Sequence, residues 1–216
     1  MPNAPQSIGA DPLARMRAAT RALHAEAERA GFVRELLAGR ATRSGYALWL
    51  RNLWPTYDAL ERALAAAPAG SPLAALADPR VLRAAALEQD LAVLAGAQWR
   101  GTLAALPAAD AYAHRIEDAA QTSIARLAAH AYVRYLGDLN GGRVLRRVVA
   151  GTLGLDDAAL RFYAFDADPA ELEGSYRAAL GCAAAEERDP GAAAQEAAVA
   201  FRLNIELAEA VLAAIR

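Results

Sequence analysis

Cysteine is almost missing from this chain: Cys182 is the only one in 216 residues. No internal disulfide is available, and no Cys-rich metal site can be built. Histidine is scarce as well, with His24, His114 and His130 the whole supply. Aromatic residues make up 6% and Val and Ile are few, whereas alanine and leucine dominate the 56% apolar content. That shortage of β-formers predicts an all-α fold. No stretch of about 18 apolar residues runs free of charge, which argues against a membrane span. The opening "MPNAPQSIGADP" lacks the basic and apolar regions of a secretion signal. Excess positive charge is also lacking, at a net −2 and an isoelectric point near 6.0. Without a field to gather phosphates, nucleic-acid binding is disfavoured, and a soluble cytoplasmic protein is expected. Gly-x-Ser-x-Gly, P-loop and dinucleotide fingerprints are absent too, which removes the usual anchors of hydrolase, kinase and dehydrogenase chemistry.

What the chain does have is helical periodicity. Residues 1–10 read as disordered, and 11–216 as one domain of eight or so helices joined by short loops, without internal repeats. Leu13, Met16, Thr20, Leu23 and Ala27 form one apolar stripe, and Gly31 is expected to end that helix. Thr42 or Ser44 can cap a long helix that Pro55 should kink. Asp78 and Pro79 read as cap and first residue of another. Further helices are predicted over 108–118 and 121–151, from Asp168-Pro169 onward, and over 192–214 after Pro190-Gly191.

The 121–151 segment contains "AHAYVRYLGDLNGGRVLRR", in which Gly137, Gly141 and Gly142 interrupt a helical pattern. Each costs roughly 1 kcal/mol against alanine in a helix interior. A ligand that must lie flat on main chain would offset that cost, because glycine has no Cβ to hold it away. Among the histidines, none has an acid three residues before it, so the di-iron bundle signature is missing. Nor does their spacing suit a tetrahedral zinc site. His24 stands out because Glu28 lies at i+4 on the same face, able to hold one imidazole nitrogen and leave the other for a metal. Arg17 and Arg21 place their α-carbons roughly 10 and 5 Å from His24 along the axis, near enough to meet an anionic edge. His130 reads as a hydrogen-bonded core histidine. His114, with Asp118 at i+4, is solvent-facing and the reserve ligand.

At these residues the chain resembles the biliverdin-producing haem oxygenases. The resemblance covers about 11–213 and rests on "TRALHAEAE" (20–28), "ALEQDLA" (86–92), "AHAYVRYLGDLNGG" (129–142) and "FRLNIELAEA" (201–210), in family order and spacing. It implies haem between the first helix and the glycine-kinked helix, with His24 as iron ligand and Glu28 steadying it. Gly137, Gly141 and Gly142 would lie flat on the porphyrin and leave room for O2. Asp138 would hold a distal water, Arg134, Tyr57 and Asn204 would belong to its network, and Arg17, Arg21, Tyr132 and Arg177 would hold the propionates. A neutral imidazole pushes less electron density onto iron than a thiolate does, and the distal segment offers no histidine as general acid. Both features suit attack on the macrocycle itself. Haem is then cofactor and substrate, O2 the co-substrate, and biliverdin, CO and ferrous iron the products. With no flavin or nucleotide motif in the chain, electrons would come from a separate ferredoxin, flavin reductase or similar donor to a monomeric enzyme.

Two positions depart from the family pattern: Asn140 stands where many relatives carry a smaller serine, and Pro55 falls two residues before Tyr57. A haem carrier without turnover would use the same pocket. A thiamine-degrading enzyme of related fold would need Cys182 as nucleophile, and no histidine or basic residue is placed locally to activate it.

Overall fold

The computed structural model describes residues 11–186, 189 and 191–216, without the side chain of Pro169. The expectations for residues 1–10 and for Pro190 lie outside the described residues. Within them the fold is all-helical. Helix α1 spans Pro12–Ala27, with Asp11 accepting from the Leu13 amide at 3.1 Å and proline at the first position. Met16, Thr20 and Ala27 of the expected stripe are buried, and Leu13 and Leu23 are half-buried. Helix α2 covers Gly31–Leu37 and α3 Arg43–Ala65, the latter capped by Thr42, whose hydroxyl accepts from Gly45 N at 3.1 Å. Pro55 sits inside α3, which is assigned as one helix on both sides of it. Helices α4 (Ala84–Ala95), α5 (Trp99–Thr102) and α6 (Pro107–Thr122) follow. Then come α7 (Ile124–Ala131), a π-helical segment (Tyr132–Leu136), α8 (Gly137–Leu153), α9 (Pro169–Ala185) and α10 (Ala192–Ala214). The total exceeds the expected eight because α5 is a single turn and the long glycine helix is divided.

Three local readings are corrected. Gly31 does not end α1, which closes at Glu28; it opens α2 with φ of +46°, and a Cβ there would stand 2.1 Å from the Ala208 carbonyl carbon of α10. Glycine is required at this point because two backbones touch. Gly31→Ala is expected to cost about 3 kcal/mol or more, a fall of roughly 6–12 °C in the thermal midpoint by calorimetry. Asp78 and Pro79 do not start a helix either. The Asp78 carboxylate instead turns back on the Arg80 amide at 2.9 Å and on its guanidinium at 2.7 Å, and α4 begins only at Ala84. Its first amides are capped from another helix, since Glu61 of α3 accepts from Arg83 N at 2.5 Å and Ala84 N at 2.9 Å. Such a cap depends on two chain segments meeting, which local sequence does not report. The third correction concerns the glycine helix, taken up with the site.

The cap at Asp168 falls where the sequence places it. Asp168 caps α9 through the Ala170 and Glu171 amides at 2.8 and 3.1 Å. Gly154, at φ of +60°, terminates α8. α10 crosses α1, α2, α6 and α7, and α3 lies against α4 and α6. This packing leaves α1 and α8 as facing walls of a cleft.

Candidate active site

The cleft has a volume of about 740 Å3 and is walled by α1 and by the π segment and α8, with α2, α9 and α10 contributing at its edges. Its two walls differ chemically. Arg17, Arg21, His24 and Glu28 come from α1, whereas α8 presents Gly137 and Gly141, where an added Cβ would find no atom within 4 Å. One wall is charged and can ligate; the other is bare main chain.

His24 is 61% exposed in its side chain, and its Nδ1 lies 3.6 Å from Glu28 Oε1. That pairing follows from the i,i+4 spacing on α1 and leaves Nε2 without a partner among the described residues. Phe201 of α10 supports the imidazole with its ring centroid 5.8 Å away. Among the described residues no three His, Cys, Asp or Glu side chains are grouped to hold a metal ion. Arg17 and Arg21 line the same wall without a hydrogen bond or ion pair among the described residues. Arg177 and Tyr132 also line the cleft, although Arg177 Nε is engaged by Glu173 at 2.7 Å.

The glycines lie within one continuous helix, α8. The irregular stretch lies one turn earlier, at Tyr132–Leu136, and Gly137 has ordinary helical angles of −60° and −46°. A π turn inserts a residue into the hydrogen-bond ladder and shifts the faces of everything after it. Gly142 is not part of the cleft wall: a Cβ there would meet Tyr163 at 3.7 Å and Phe165 at 3.8 Å, on the opposite, packed side. So two of the three glycines serve the cleft.

Behind the bare wall lies a buried polar network. Tyr57 donates to Asp138 Oδ2 at 2.5 Å and accepts from Arg134 Nε at 3.0 Å and Nη2 at 2.7 Å. Arg134 Nη1 donates to Asn204 Oδ1 at 2.5 Å. The four residues named from the sequence thus form one connected set from α3, the π segment, α8 and α10, though none lines the cleft surface itself. Asp138 Oδ1 stands 3.9 Å from Arg134 Nη2, too far for a direct hydrogen bond, and keeps its accepting capacity. Burial pushes the Asp138 carboxyl up to about 6, against the opposing pull of Arg134 and the Tyr57 hydroxyl. Burial likewise drives the Tyr57 phenol well above its ordinary value. Tyr57 is held between the rings of Tyr135 and Phe162, at 5.9 and 5.4 Å, and Tyr135 donates to Glu61 at 3.2 Å. Pro55 has not displaced Tyr57 from the network.

The remaining histidines are elsewhere. His130 is fully buried, with Nε2 3.0 Å from Glu196 Oε1, and Arg115 and Arg126 also reach that carboxylate. Burial raises the Glu196 carboxyl, but hydrogen bonds from His130 and Arg115 outweigh it and bring it to about 2. Burial lowers His130, so the pair reads as a neutral imidazole donating to a carboxylate. His114 is exposed on α6 and away from the cleft.

Sequence reasoning missed the apolar lining: Val33 and Leu37 of α2, Val144 and Leu145 of α8, and Phe201. Their signal is faint. Leu37 and Val144 are 38% and 54% exposed, which marks them as cleft residues only once the fold is known.

The sequence matches the heme oxygenase family over residues 11–210. The chain belongs to the haem oxygenase family. It is 34% identical to human heme oxygenase 1 over 210 residues, covering 95% of this chain and 73% of that protein. To heme oxygenase 1 of Synechocystis it is 32% identical over 194 residues, 89% of this chain and 81% of the relative. Among solved structures, heme oxygenase-1 of Synechocystis in complex with heme superposes with a TM-score of 0.86 at 30% identity, over 95% of this chain and 96% of that one. The heme oxygenase of Leptospira interrogans gives 0.83 at 28% identity, over 92% and 98%. An all-α haem oxygenase architecture accounts for the irregular helix: the π segment turns Arg134 inward to Tyr57 while Gly137 and Gly141 face the cleft.

Proposed function

We propose that the cleft between α1 and α8 takes haem, which His24 would hold through its iron and the glycine wall would meet with bare main chain. The single observation that carries this reading is the opposition of a histidine with a free Nε2 to two glycines whose missing side chains leave a flat backbone surface. The activity is that of a haem oxygenase. Bound haem supplies an iron that activates O2 and the macrocycle edge that is opened, yielding biliverdin, CO and ferrous iron.

Each residue has a definable task. Glu28, with its carboxylate 3.6 Å from His24 Nδ1, favours the tautomer protonated there and so leaves Nε2 available. Arg17, Arg21, Tyr132 and Arg177 take the propionates at the cleft edge, where the guanidinium groups, those of Arg17 and Arg21 unpaired and that of Arg177 shared with Glu173, meet carboxylates in the geometry they favour. Asp138 Oδ1 holds a water on the side of the glycine wall; Tyr57 holds Asp138, Arg134 holds Tyr57, and Asn204 holds Arg134 in turn. His130 is buried against Glu196 and does not face the cleft, so no imidazole acts as general acid there. The same reading takes residues 11–216 as one monomeric, cytoplasmic domain supplied with electrons by a separate ferredoxin, flavin reductase or similar donor. No helix among the described residues is long and apolar enough to cross a membrane.

Mixing the protein with haemin and adding a reductant in air is the direct test. Loss of the Soret band with growth of a biliverdin band is expected; a stable reduced or oxygenated haem spectrum would indicate a carrier. Gly141→Leu supplies a structural check, because its Cβ would meet no protein atom within 4 Å and the side chain would enter the cleft. Haem affinity should fall by about 100-fold or more in an absorbance titration, as the excluded volume removes stacking contact. The thermal midpoint should not fall, since leucine is a better helix former than glycine.

A further inference from the structure

Asn140 lines the cleft but has no part in the roles above. Its Nδ2 donates to the Leu136 carbonyl at 2.7 Å, one turn back along α8. A carbonyl oxygen only accepts, so the atom facing it is the amide nitrogen and Oδ1 is turned away. That oxygen has no hydrogen-bond partner among the described residues. With 3.6 residues per turn, Asn140 falls about 60° to one side of Gly137, and Leu145 about 40° to the other side of Gly141. Both flank the bare stripe and both line the cleft. The glycine wall therefore has one shoulder that carries Asn140, tethered to its own helix, with Val144 one turn on, and one shoulder that is apolar.

A flat macrocycle lying on two glycines is free to turn in its own plane until something at its edge stops it. Leu145 offers contact without direction, whereas Asn140 offers an acceptor that loses water if an apolar ring edge covers it. We propose that Asn140 is a specificity-determining residue: its tethered amide sets the in-plane seat of the porphyrin and so selects which edge is opened. The inference rests on haem occupying this cleft. A tenfold preference between two seats requires only about 1.4 kcal/mol, which lies within the cost of leaving one buried acceptor unpaired.

The test uses the full chain and its Asn140→Ala and Asn140→Leu variants. Alanine removes the shoulder; leucine keeps nearly its volume but loses both the tether and Oδ1. Haemin titration and turnover of the unaltered protein come first, and failure there sinks the haem reading and the role of Asn140 with it, whereas the outcomes below can sink the role of Asn140 alone. Given binding, haem methyl proton shifts of the ferric cyanide complexes report the in-plane seat without turnover, and chromatography of the biliverdin isomers reports the edge opened. Unaltered protein should give one dominant isomer. Both variants should shift or double the methyl pattern and raise a second isomer to about a tenth of product or more, as a tenfold bias is lost. Unchanged methyl shifts and an unchanged isomer in both variants would overturn the proposal. A change in the leucine variant alone would overturn it too, by assigning the effect to shape.

Discussion

His24→Ala is expected to lose the axial ligand and with it nearly all biliverdin formation, by at least about 100-fold, since even supporting residues around a ligated metal are worth 10- to 100-fold. Apolar contacts and the edge arginines would still retain some haem, so the decisive readout is the spectrum of the ferric complex and not binding alone. Added imidazole should restore the ligand field and part of the activity, because the cleft keeps the space that the side chain vacates. An unchanged spectrum and rate would move the ligand to another histidine. The structure makes that outcome hard to accommodate, with His130 sealed against Glu196 and His114 exposed on α6. The fold should survive the change, as His24 is 61% exposed and its contact with Glu28 is a surface pair.

Asp138→Ala is expected to separate binding from product. Haem affinity should stay within about threefold, well under 1.4 kcal/mol, because Asp138 lies behind the glycine wall and outside the cleft surface. Biliverdin yield should fall by about 100-fold, the lower range for a positioned proton-transfer group, while O2 and reductant continue to be consumed. Chromatography of product against an oxygen electrode distinguishes the two; undiminished yield would remove Asp138 from the mechanism. A pH profile adds a sign. Asp138 is pushed up to about 6 by burial, so its carboxylate is present above that pH and accepts from Tyr57, and protonation below it weakens this acceptor. Activity of the haem-loaded protein should decline as pH falls through about 6, and Asp138→Asn should flatten that limb.

Much of the site was legible because helical spacing is a local property. His24 and Glu28 pair at i,i+4 whatever surrounds them, and Arg17 and Arg21 fall on the same wall for the same reason. Gly137 and Gly141 were visible as a cost without a local return. Gly142 was not separable from them, because only the π turn and the packing of Tyr163 and Phe165 decide which glycine faces inward. The start of α4 was misread for a related reason: its cap is Glu61, 22 residues before Arg83 in the chain.

The sequence by itself determined the all-α class, the caps at Asp11, Thr42 and Asp168, and the chemistry of the ligating wall, since these depend on propensity and on neighbours within one or two turns. Tertiary structure alone decided that Tyr57, Arg134, Asp138 and Asn204 form one hydrogen-bonded set, that His130 belongs to Glu196, and that Leu37 and Val144 stay exposed as cleft lining. The two polar pairings require side chains 66 or more residues apart, such as His130 and Glu196, to meet away from water. There an unpaired polar group is costly enough to fix a single arrangement.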